Sequence, residues 1–191
     1  MEKLVVIDSC MHEGSRTRRL LQAAVNALST RYEIETFDVN ALAFPPVSPE
    51  IMQQRNNGYV PERIVEVSRR IAAADRLVIA APFWDMSFPS VLKVFLENVS
   101  LFHITFDSNG RECYGLCRCS KVLYLTTRGM DIRTGDPLDQ GSPYIKALSV
   151  LWGLGEVITV SAENMDYSSP EELESRIGEA IKQIRTVCRD F

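Results

Sequence analysis

Apolar residues cluster along the chain in short runs that predict the strands of a sheet. Four runs are almost wholly apolar and rich in β-branched residues, which is typical of strands buried on both faces of a parallel sheet. A fifth run alternates apolar and polar residues, which also predicts a strand. The predicted strands are 4–7, 32–39, 77–81, 122–125 and 157–160.

Longer segments between and after these strands carry apolar residues at helical spacing. Each crossover is long enough to return the chain to the start of the next parallel strand. The alternation therefore predicts an α/β fold, in which helices cover both faces of a five-stranded parallel sheet. The predicted helices are 15–28, 62–74, 91–102, 144–152 and 170–187.

Two segments depart from this alternation. Residues 42–61 are rich in Pro, Asn and Gln and predict a long loop, which in a compact domain is either functional or partly helical. We regard it as a candidate lid or dimer surface. Residues 104–116 contain Asn109-Gly110, a pair that favours the positive φ of a tight turn, and they predict a hairpin-like excursion.

Composition limits the classes of protein to consider. The 191 residues are 46% apolar and 24% charged, which fits a single domain over residues 1–191. No apolar run approaches the roughly 20 residues that span a bilayer, and the first residues lack the pattern of a secretory signal. We therefore expect a cytoplasmic protein with no membrane role. The net charge is −4 and the 21 Lys and Arg residues are scattered, which argues against nucleic acid as a partner.

The five cysteines are odd in number and fit reduced thiols better than a disulfide framework. Cys113, Cys117 and Cys119 form a group, but they lack Cys-x-x-Cys spacing and a fourth nearby ligand. His12 and His103 are isolated in the sequence. We therefore expect no metal site.

The position of a ligand follows from the fold class. In an open parallel α/β sheet, ligands bind beyond the carboxyl ends of the strands, near the point where the strand order reverses. This rule selects the loops 9–17, 82–89 and 126–136.

The first loop places Gly14, Ser15, Arg16 and Thr17 at the start of a predicted helix. Free backbone N–H groups and the positive end of the helix dipole favour a phosphate there, and two hydroxyls add hydrogen-bonding groups. The alternative is an ordinary Ser helix cap. The loop lacks the glycine patterns of nucleotide triphosphatases and dinucleotide-binding folds, which argues against ATP or a tightly held NAD.

The second loop contains Pro82, Phe83, Trp84, Asp85 and Met86. A broad aromatic and a soft thioether favour stacking of a flat heteroaromatic ring, and free backbone amides suit the polar edge of such a ring. The alternative is a set of core aromatics that covers the end of the sheet.

The third loop begins with residues 127–130, which combine a hydroxyl, a fixed positive charge and a flexible glycine. We single out Arg128 as the candidate catalytic residue, because its charge would stabilise negative charge on a reduced ring or on an acceptor. The alternative is a surface ion pair between Arg128 and Asp131 or Asp136.

Together these segments resemble the FMN-dependent NADH-azoreductases and quinone reductases of the flavodoxin-like superfamily. The likeness covers most of the chain, and its specificity comes from the order and spacing of its pieces. It implies a flavodoxin-like three-layer sandwich with sheet order 2-1-3-4-5. The matching pieces are Lys3 to Ile7, Ser15 to Thr17, Ala80 to Ser87, Leu92-Lys93, Phe95, Thr105-Phe106 before Asn109-Gly110, and Thr127 to Gly129.

The resemblance implies FMN as the bound cofactor and NADH or NADPH as the electron donor. It also implies a homodimer with the active site at the subunit interface, and ping-pong transfer of electrons to quinones, azo compounds or nitroaromatics. The FMN phosphate would lie on the first loop, the ring along the second, and the polar edge of the ring near the third. The implied cofactor-binding residues are Cys10, Ser15, Arg16, Thr17, Pro82, Phe83, Trp84, Asp85, Met86, Thr127, Arg128, Gly129 and Met130.

Three residues depart from the family pattern. Cys10 stands where Ser is frequent, Asp85 where Asn is common, and Met130 where a second Gly is found. A carboxylate at position 85 opposes negative charge on a reduced ring unless it is protonated or turned away.

Two other functions remain open from the sequence. One is a flavodoxin-like protein, FMN-binding or regulatory, that keeps the fold and the dimer but has no turnover. The other is a single-electron carrier flavodoxin, although such carriers are usually more acidic than a net charge of −4.

Overall fold

A five-stranded parallel sheet forms the centre of the computed structural model, which describes residues 1–191. The strands of the protein are β1 Glu2–Asp8, β2 Tyr32–Asp38, β3 Arg76–Ala80, β4 Phe106–Ser108, β5 Cys113–Gly115, β6 Lys121–Thr127 and β7 Glu156–Ala162. The main sheet has the order β2-β1-β3-β6-β7, with all neighbouring pairs parallel. Counted within this sheet, the order is 2-1-3-4-5, which confirms the predicted topology.

Helices cover both faces of this sheet and complete the predicted three layers. They are α1 Arg16–Leu28, α2 Val39–Leu42, α3 Pro49–Asn56, α4 Glu62–Ala72, α5 Ser90–Val99, α6 Gly141–Trp152 and α7 Pro170–Val187. One core cluster contains Leu20 of α1 and Ile177 of α7. The other contains Ile71 of α4, Phe95 of α5 and Ile145 of α6. None of the helices combines the length and the apolar content that crossing a membrane requires.

The continuous apolar runs follow from burial on both faces. In β1, Leu4 and Val6 pack into one core cluster, whereas Val5 and Ile7 pack into the other. All four side chains are almost completely buried. A strand in this position needs apolar residues on both faces, so strict alternation is lost.

Most predicted boundaries differ from the structure by one to three residues. Thr126 and Thr127, predicted as loop, are buried residues of β6. The helix predicted to begin at residue 144 begins at Gly141, and the helix predicted to reach residue 102 ends at Val99. These two polar residues hid the strand end, because the sequence does not show that their side chains are buried.

The segment 42–61 is partly helical and is attached to the body of the fold. The hydroxyl of Ser48 caps α3 by accepting from the backbone N–H of Ile51 at 3.3 Å. The buried side chain of Asn98 donates to the carbonyl of Pro45 at 2.8 Å and accepts from Arg55 at 2.9 Å. Asn98 lies at the carboxyl end of α5, whereas the amino end of α5 is the end that follows the carboxyl end of strand β3. The segment is therefore attached at the end of α5 that is farther along the chain from this strand end. These bonds do not favour a mobile lid.

The predicted hairpin-like excursion is confirmed as the antiparallel pair β4 and β5. The side chain of Asn109 accepts from the backbone N–H groups of Arg111 and Glu112, and Gly110 has a φ of 83°. This turn requires a residue that tolerates positive φ, which explains the glycine.

Gly155 joins α6 to β7 at a point where no side chain fits. Its φ is +80°, and an added Cβ would lie 2.2 Å from the carbonyl oxygen of Ser120. We expect Gly155→Ala to lower the free energy of unfolding by about 2–4 kcal/mol, because the backbone must move to relieve both strain and overlap. The control is Gly178→Ala inside α7, where no atom lies within 4 Å of the new Cβ. Urea denaturation should show that this control is neutral or stabilising by up to about 1 kcal/mol. If both variants lost the same free energy of unfolding, the steric conflict described for position 155 would be contradicted.

Candidate active site

A cleft of about 410 Å³ opens at the carboxyl edge of the main sheet. The three loops selected from the sequence meet there, together with the connection between β7 and α7. Larger surface space, about 710 Å³, lies in a groove along α4. We place the site in the smaller cleft, because it holds the converging polar groups and the strand ends. Its lining residues are His12, Gly14, Ser15, Arg16, Pro82, Phe83, Trp84, Thr127, Gly129 and Asp166.

One end of the cleft is the start of α1. The backbone N–H groups of Gly14, Arg16 and Thr17 have no acceptor among the protein's own groups. The hydroxyl of Ser15 accepts from the backbone N–H of Arg18 at 3.4 Å and so caps the helix. Ser15 is therefore an ordinary helix cap, as the alternative held, and its neighbours still present donors to the cleft. Unpaired N–H groups at a helix start favour an anion.

The hydroxyl of Thr17 is not available to a ligand. It shares a hydrogen bond of 2.7 Å with the hydroxyl of Thr127, and both residues are buried. This contact joins the first turn of α1 to the end of β6. The sequence predicted two hydroxyls for a phosphate, those of Ser15 and Thr17. The hydroxyl of Thr17 instead joins the first loop to the third through its hydrogen bond with Thr127.

The side chain of Arg16 lines the cleft and reaches the loop after β7. Its Nη1 lies 2.7 Å from Oδ1 of Asp166, which belongs to the loop after β7. Both side chains are partly exposed, with 39% and 64% of their surfaces accessible. Arg16 is therefore an accessible cation that already has a carboxylate partner.

The second loop contains a strained two-residue turn. Trp84 and Ser87 exchange backbone hydrogen bonds of 3.1 and 2.8 Å, and the residues between them, Asp85 and Met86, have φ values of 47° and 66°. Positive φ at both positions defines a type I′ turn, in which Asn and Gly are favoured. The backbone N–H groups of Asp85 and Met86 have no acceptor in the protein. Strain with unpaired donors is typical of a functional site.

The aromatic residues of this loop differ in their surroundings. Trp84 exposes 47% of its surface beside the cleft. Phe83 lies over the guanidinium of Arg128, with 5.3 Å from its centroid to Cζ, and its backbone N–H donates to the carbonyl of Thr127. The alternative of plain core aromatics therefore does not describe Trp84, which is free to stack against a ligand.

Arg128 is completely buried beneath the cleft. Its guanidinium donates to Asp139 at 3.0 Å, to Ser142 at 3.2 Å and to the carbonyl of Ile132 at 2.9 Å. The surface ion pair with Asp131 or Asp136 is wrong, since the carboxylate partner is the buried Asp139. From this position the guanidinium holds the third loop in shape and does not line the cleft.

Several predicted site residues lie outside the cleft lining. Cys10 is buried, and burial together with the carboxylate of Asp8 raises the pKa of its thiol to about 12. Asp85 and Met130 are exposed, and Met86 is partly buried. The Asp85 side chain is exposed, which is compatible with one of the two conditions stated for a carboxylate at this position, that it is turned away from the ring.

Two important residues were missed by the sequence analysis. Asp166 and Asp139 are acidic residues in loops, without a motif to mark them. Their partners lie 150 and 11 residues away, so the contacts arise only when the fold brings the loops together. His12 also lines the cleft, next to the helix start.

The cysteines are reduced, and their exposure differs. Cys113 is exposed, whereas burial raises the pKa of Cys10 and Cys117 to about 12 and that of Cys119 and Cys188 to about 11. No three His, Cys, Asp or Glu side chains are grouped to hold a metal ion.

Because thiolates are the reactive form, we expect a thiol reagent such as Ellman's at pH 8 to modify Cys113 rapidly and the other four cysteines slowly. After unfolding, all five should react. Cys113→Ser should remove the rapid phase alone. A rapid phase of two or more thiols in the native wild-type protein would contradict the burial described here.

Known proteins similar to this chain share its fold. The model of the family described as having a flavodoxin-like fold matches residues 1–187. The chain belongs to the flavodoxin-like fold family. Within it, the chain is similar to FMN-dependent NADH:quinone oxidoreductases and to azoreductases, which confirms the resemblance drawn from the sequence.

Two relatives illustrate the range of this similarity within the flavodoxin-like family. The FMN-dependent NADH:quinone oxidoreductase 2 of Clostridium acetobutylicum is 28% identical over 130 residues, which cover 67% of this chain and 64% of that protein. The FMN-dependent NADH:quinone oxidoreductase of Coprothermobacter proteolyticus is 25% identical over 190 residues, with 94% of both chains covered.

A solved flavodoxin-like structure supports the fold. An FMN-dependent NADH-azoreductase from Bacillus anthracis, determined in complex with FMN, superposes with a TM-score of 0.80 at 19% identity. The match covers 100% of this chain and 99% of that one. The likeness therefore extends through every element of the fold described above.

Proposed function

We propose that this protein is an FMN-dependent oxidoreductase that passes electrons from NADH or NADPH to quinones, azo compounds or related small aromatic acceptors. The observation that carries the proposal is one cleft that joins unpaired N–H groups at a helix start to an exposed tryptophan. A phosphate suits the first and a flat ring suits the second. The names of the relatives support the same cofactor and class of acceptor.

The residues of the cleft and their neighbours in the chain fit FMN by the chemistry of their donors. Gly14, Arg16 and Thr17 offer backbone N–H groups, and Arg16 adds a guanidinium, which suits one phosphate. Asp85 and Met86 offer unpaired N–H groups next to Trp84, which suits the polar edge of a ring. The donors lie at the start of α1 and in the second loop, so one elongated ligand can use both sets.

FMN, when bound, supplies the redox chemistry by exchanging two electrons first with the nicotinamide and then with the acceptor, in a ping-pong cycle. The protein binds the cofactor, orients it and shields it from water. Ser15 keeps the start of α1 in place, Arg16 and Thr17 bind the phosphate, and Trp84 with Phe83 supports the ring. Thr127 and Gly129 form the adjoining wall.

The proposed role of Arg128 changes in the light of its burial. Its side chain bonds to Ile132 within the third loop and to Asp139 beyond it, and it lies against Phe83 of the second loop. We assign it to positioning of the ring side of the cleft, through Asp139 and Phe83. Cys10, Pro82 and Met130 contribute backbone or wall contacts at most.

We further propose that residues 1–191 form one FMN-binding domain and that two copies associate as a homodimer over the cleft. Support comes from Trp84 and Met130, large apolar side chains that are exposed in loops of the site. The cytoplasmic location expected from the sequence stays a prediction.

Steady-state kinetics test the activity and its order. Rates of NADH oxidation should be measured at several fixed quinone concentrations, with azo dyes, nitroaromatics and NADPH compared in parallel. Parallel double-reciprocal lines are expected for a ping-pong cycle, and intersecting lines would contradict it. Bound FMN without oxidation of either nicotinamide would instead support a binding or regulatory protein.

A further inference from the structure

We propose that Asp166 limits the affinity of the cleft for the cofactor phosphate, because it competes with that phosphate for Arg16. The inference rests on the proposed function, since it concerns FMN in this cleft. Asp166 lies after β7, outside the three loops that the sequence selected.

The geometry places the carboxylate at the phosphate end of the cleft. Asp166 Oδ1 lies 2.7 Å from Arg16 Nη1, and Arg16 is the first residue of α1. Both residues line the cleft with Gly14 and Ser15. A carboxylate near the start of a helix is favourable in itself, and here it accepts from the Arg16 side chain while the backbone N–H groups of Gly14, Arg16 and Thr17 keep no acceptor.

The wall of the cleft is shaped to admit this carboxylate. A Cβ added to Gly129 would lie 2.0 Å from Asp166 Oδ2, so the carboxylate occupies the space that any other residue at position 129 would fill. The backbone N–H of Asp166 also donates to the carbonyl of Gly129 at 3.0 Å. The ion pair is therefore held by the backbone of the third loop as well as by charge.

No unpaired cation remains to replace Arg16. The first turn of α1 contains three arginines, and each one has a carboxylate partner. Only the first of them lines the cleft, and no lysine does. A phosphate therefore meets an Arg16 whose charge and Nη1 are already shared with a carboxylate, and it must also tolerate the negative charge of that group. The pairs are Arg16–Asp166, Arg18–Asp8 and Arg19–Glu174.

The expected consequence is that the cleft binds the cofactor more weakly than its hydrogen-bond donors would without Asp166. Asp166→Asn should raise the affinity for FMN about fivefold to tenfold, because it removes repulsion of the phosphate and frees Arg16. Riboflavin lacks the phosphate, so its affinity should change by less than about twofold. High salt should reduce the gain, since these side chains are partly exposed.

The test is equilibrium titration of protein freed of flavin, with FMN and with riboflavin, at low and high salt. Asp131→Asn is the matched control, because it removes the same charge from an exposed side chain that does not line the cleft. The affinity of this control for FMN should match that of the wild-type protein within about twofold. In an Arg16→Gln background, the gain from Asp166→Asn should be smaller than in wild type.

Each outcome decides the matter. A gain for FMN alone supports competition at the phosphate. Unchanged or weaker FMN binding in Asp166→Asn, or equal gains for FMN and riboflavin, would overturn it while leaving the proposed function in place. A wild-type protein that binds neither flavin would overturn the proposed function itself.

Discussion

Asp139→Ala should lower the free energy of unfolding by about 3–5 kcal/mol, although Asp139 lies outside both core clusters. Its carboxylate is buried and accepts from Arg128 at 3.0 Å and from the backbone N–H of Ser142 at 3.1 Å. Its removal leaves a buried guanidinium whose nearest other carboxylate, Glu163, is 3.8 Å away. Urea denaturation followed by circular dichroism measures the loss.

Asp131→Ala is the control for this variant, because Asp131 is an exposed residue of the same loop. It should change the free energy of unfolding by less than about 0.5 kcal/mol. Adding Arg128→Met to Asp139→Ala should restore part of the loss, since no unpaired charge then remains buried. Additive losses in the double variant would show that the two side chains do not act as a pair.

Arg16→Gln should weaken FMN binding about 10-fold to 100-fold, the range expected for a lost hydrogen bond between charged groups. Arg16 is the one arginine or lysine that lines the cleft, and it lies next to the unpaired N–H groups at the start of α1. Glutamine keeps a side-chain N–H donor, but it is shorter than arginine and has no charge. The affinity for FMN is measured by quenching of flavin fluorescence.

Arg19→Gln provides the matched control. Arg19 lies on the same helix, bonds to Glu174 at 2.8 and 2.6 Å, and does not line the cleft. This variant should bind FMN within about twofold of wild type. Riboflavin binding should be unchanged in both variants. An equal loss of FMN and riboflavin in Arg16→Gln would mean that Arg16 supports the fold of the loop and does not bind the phosphate.

The sheet could be predicted from the sequence because burial on both faces leaves a simple signal. Runs such as 77–81 are almost free of polar residues, since neither face meets water. The end of β6 was hidden, because Thr126 and Thr127 are polar in sequence but buried in the structure. Helix α3 has no buried residues, so it carries no amphipathic signal. Its start was nevertheless marked by Ser48 and Pro49, a cap and a first-turn proline.

The sequence predicted which loops meet at the cleft, but it did not predict which way their side chains point. The rule for ligands at strand ends selected three loops that meet at one cleft, and Ser15, Arg16 and Trp84 all line it. Side-chain direction was not predictable. Arg128 turns inward to a buried carboxylate, and Thr17 pairs with a residue of another loop. Such contacts depend on tertiary packing, which the local pattern around either residue does not contain.

Anaerobic spectroscopy of the purified protein tests the central claim most directly. The protein, supplied with FMN and freed of excess, should retain about one flavin per chain and show the yellow flavin absorbance. Addition of NADH without oxygen should bleach these bands, and a quinone should restore them. A protein that retains no FMN, or whose bound FMN is bleached by neither NADH nor NADPH, would contradict the assignment as an FMN-dependent oxidoreductase.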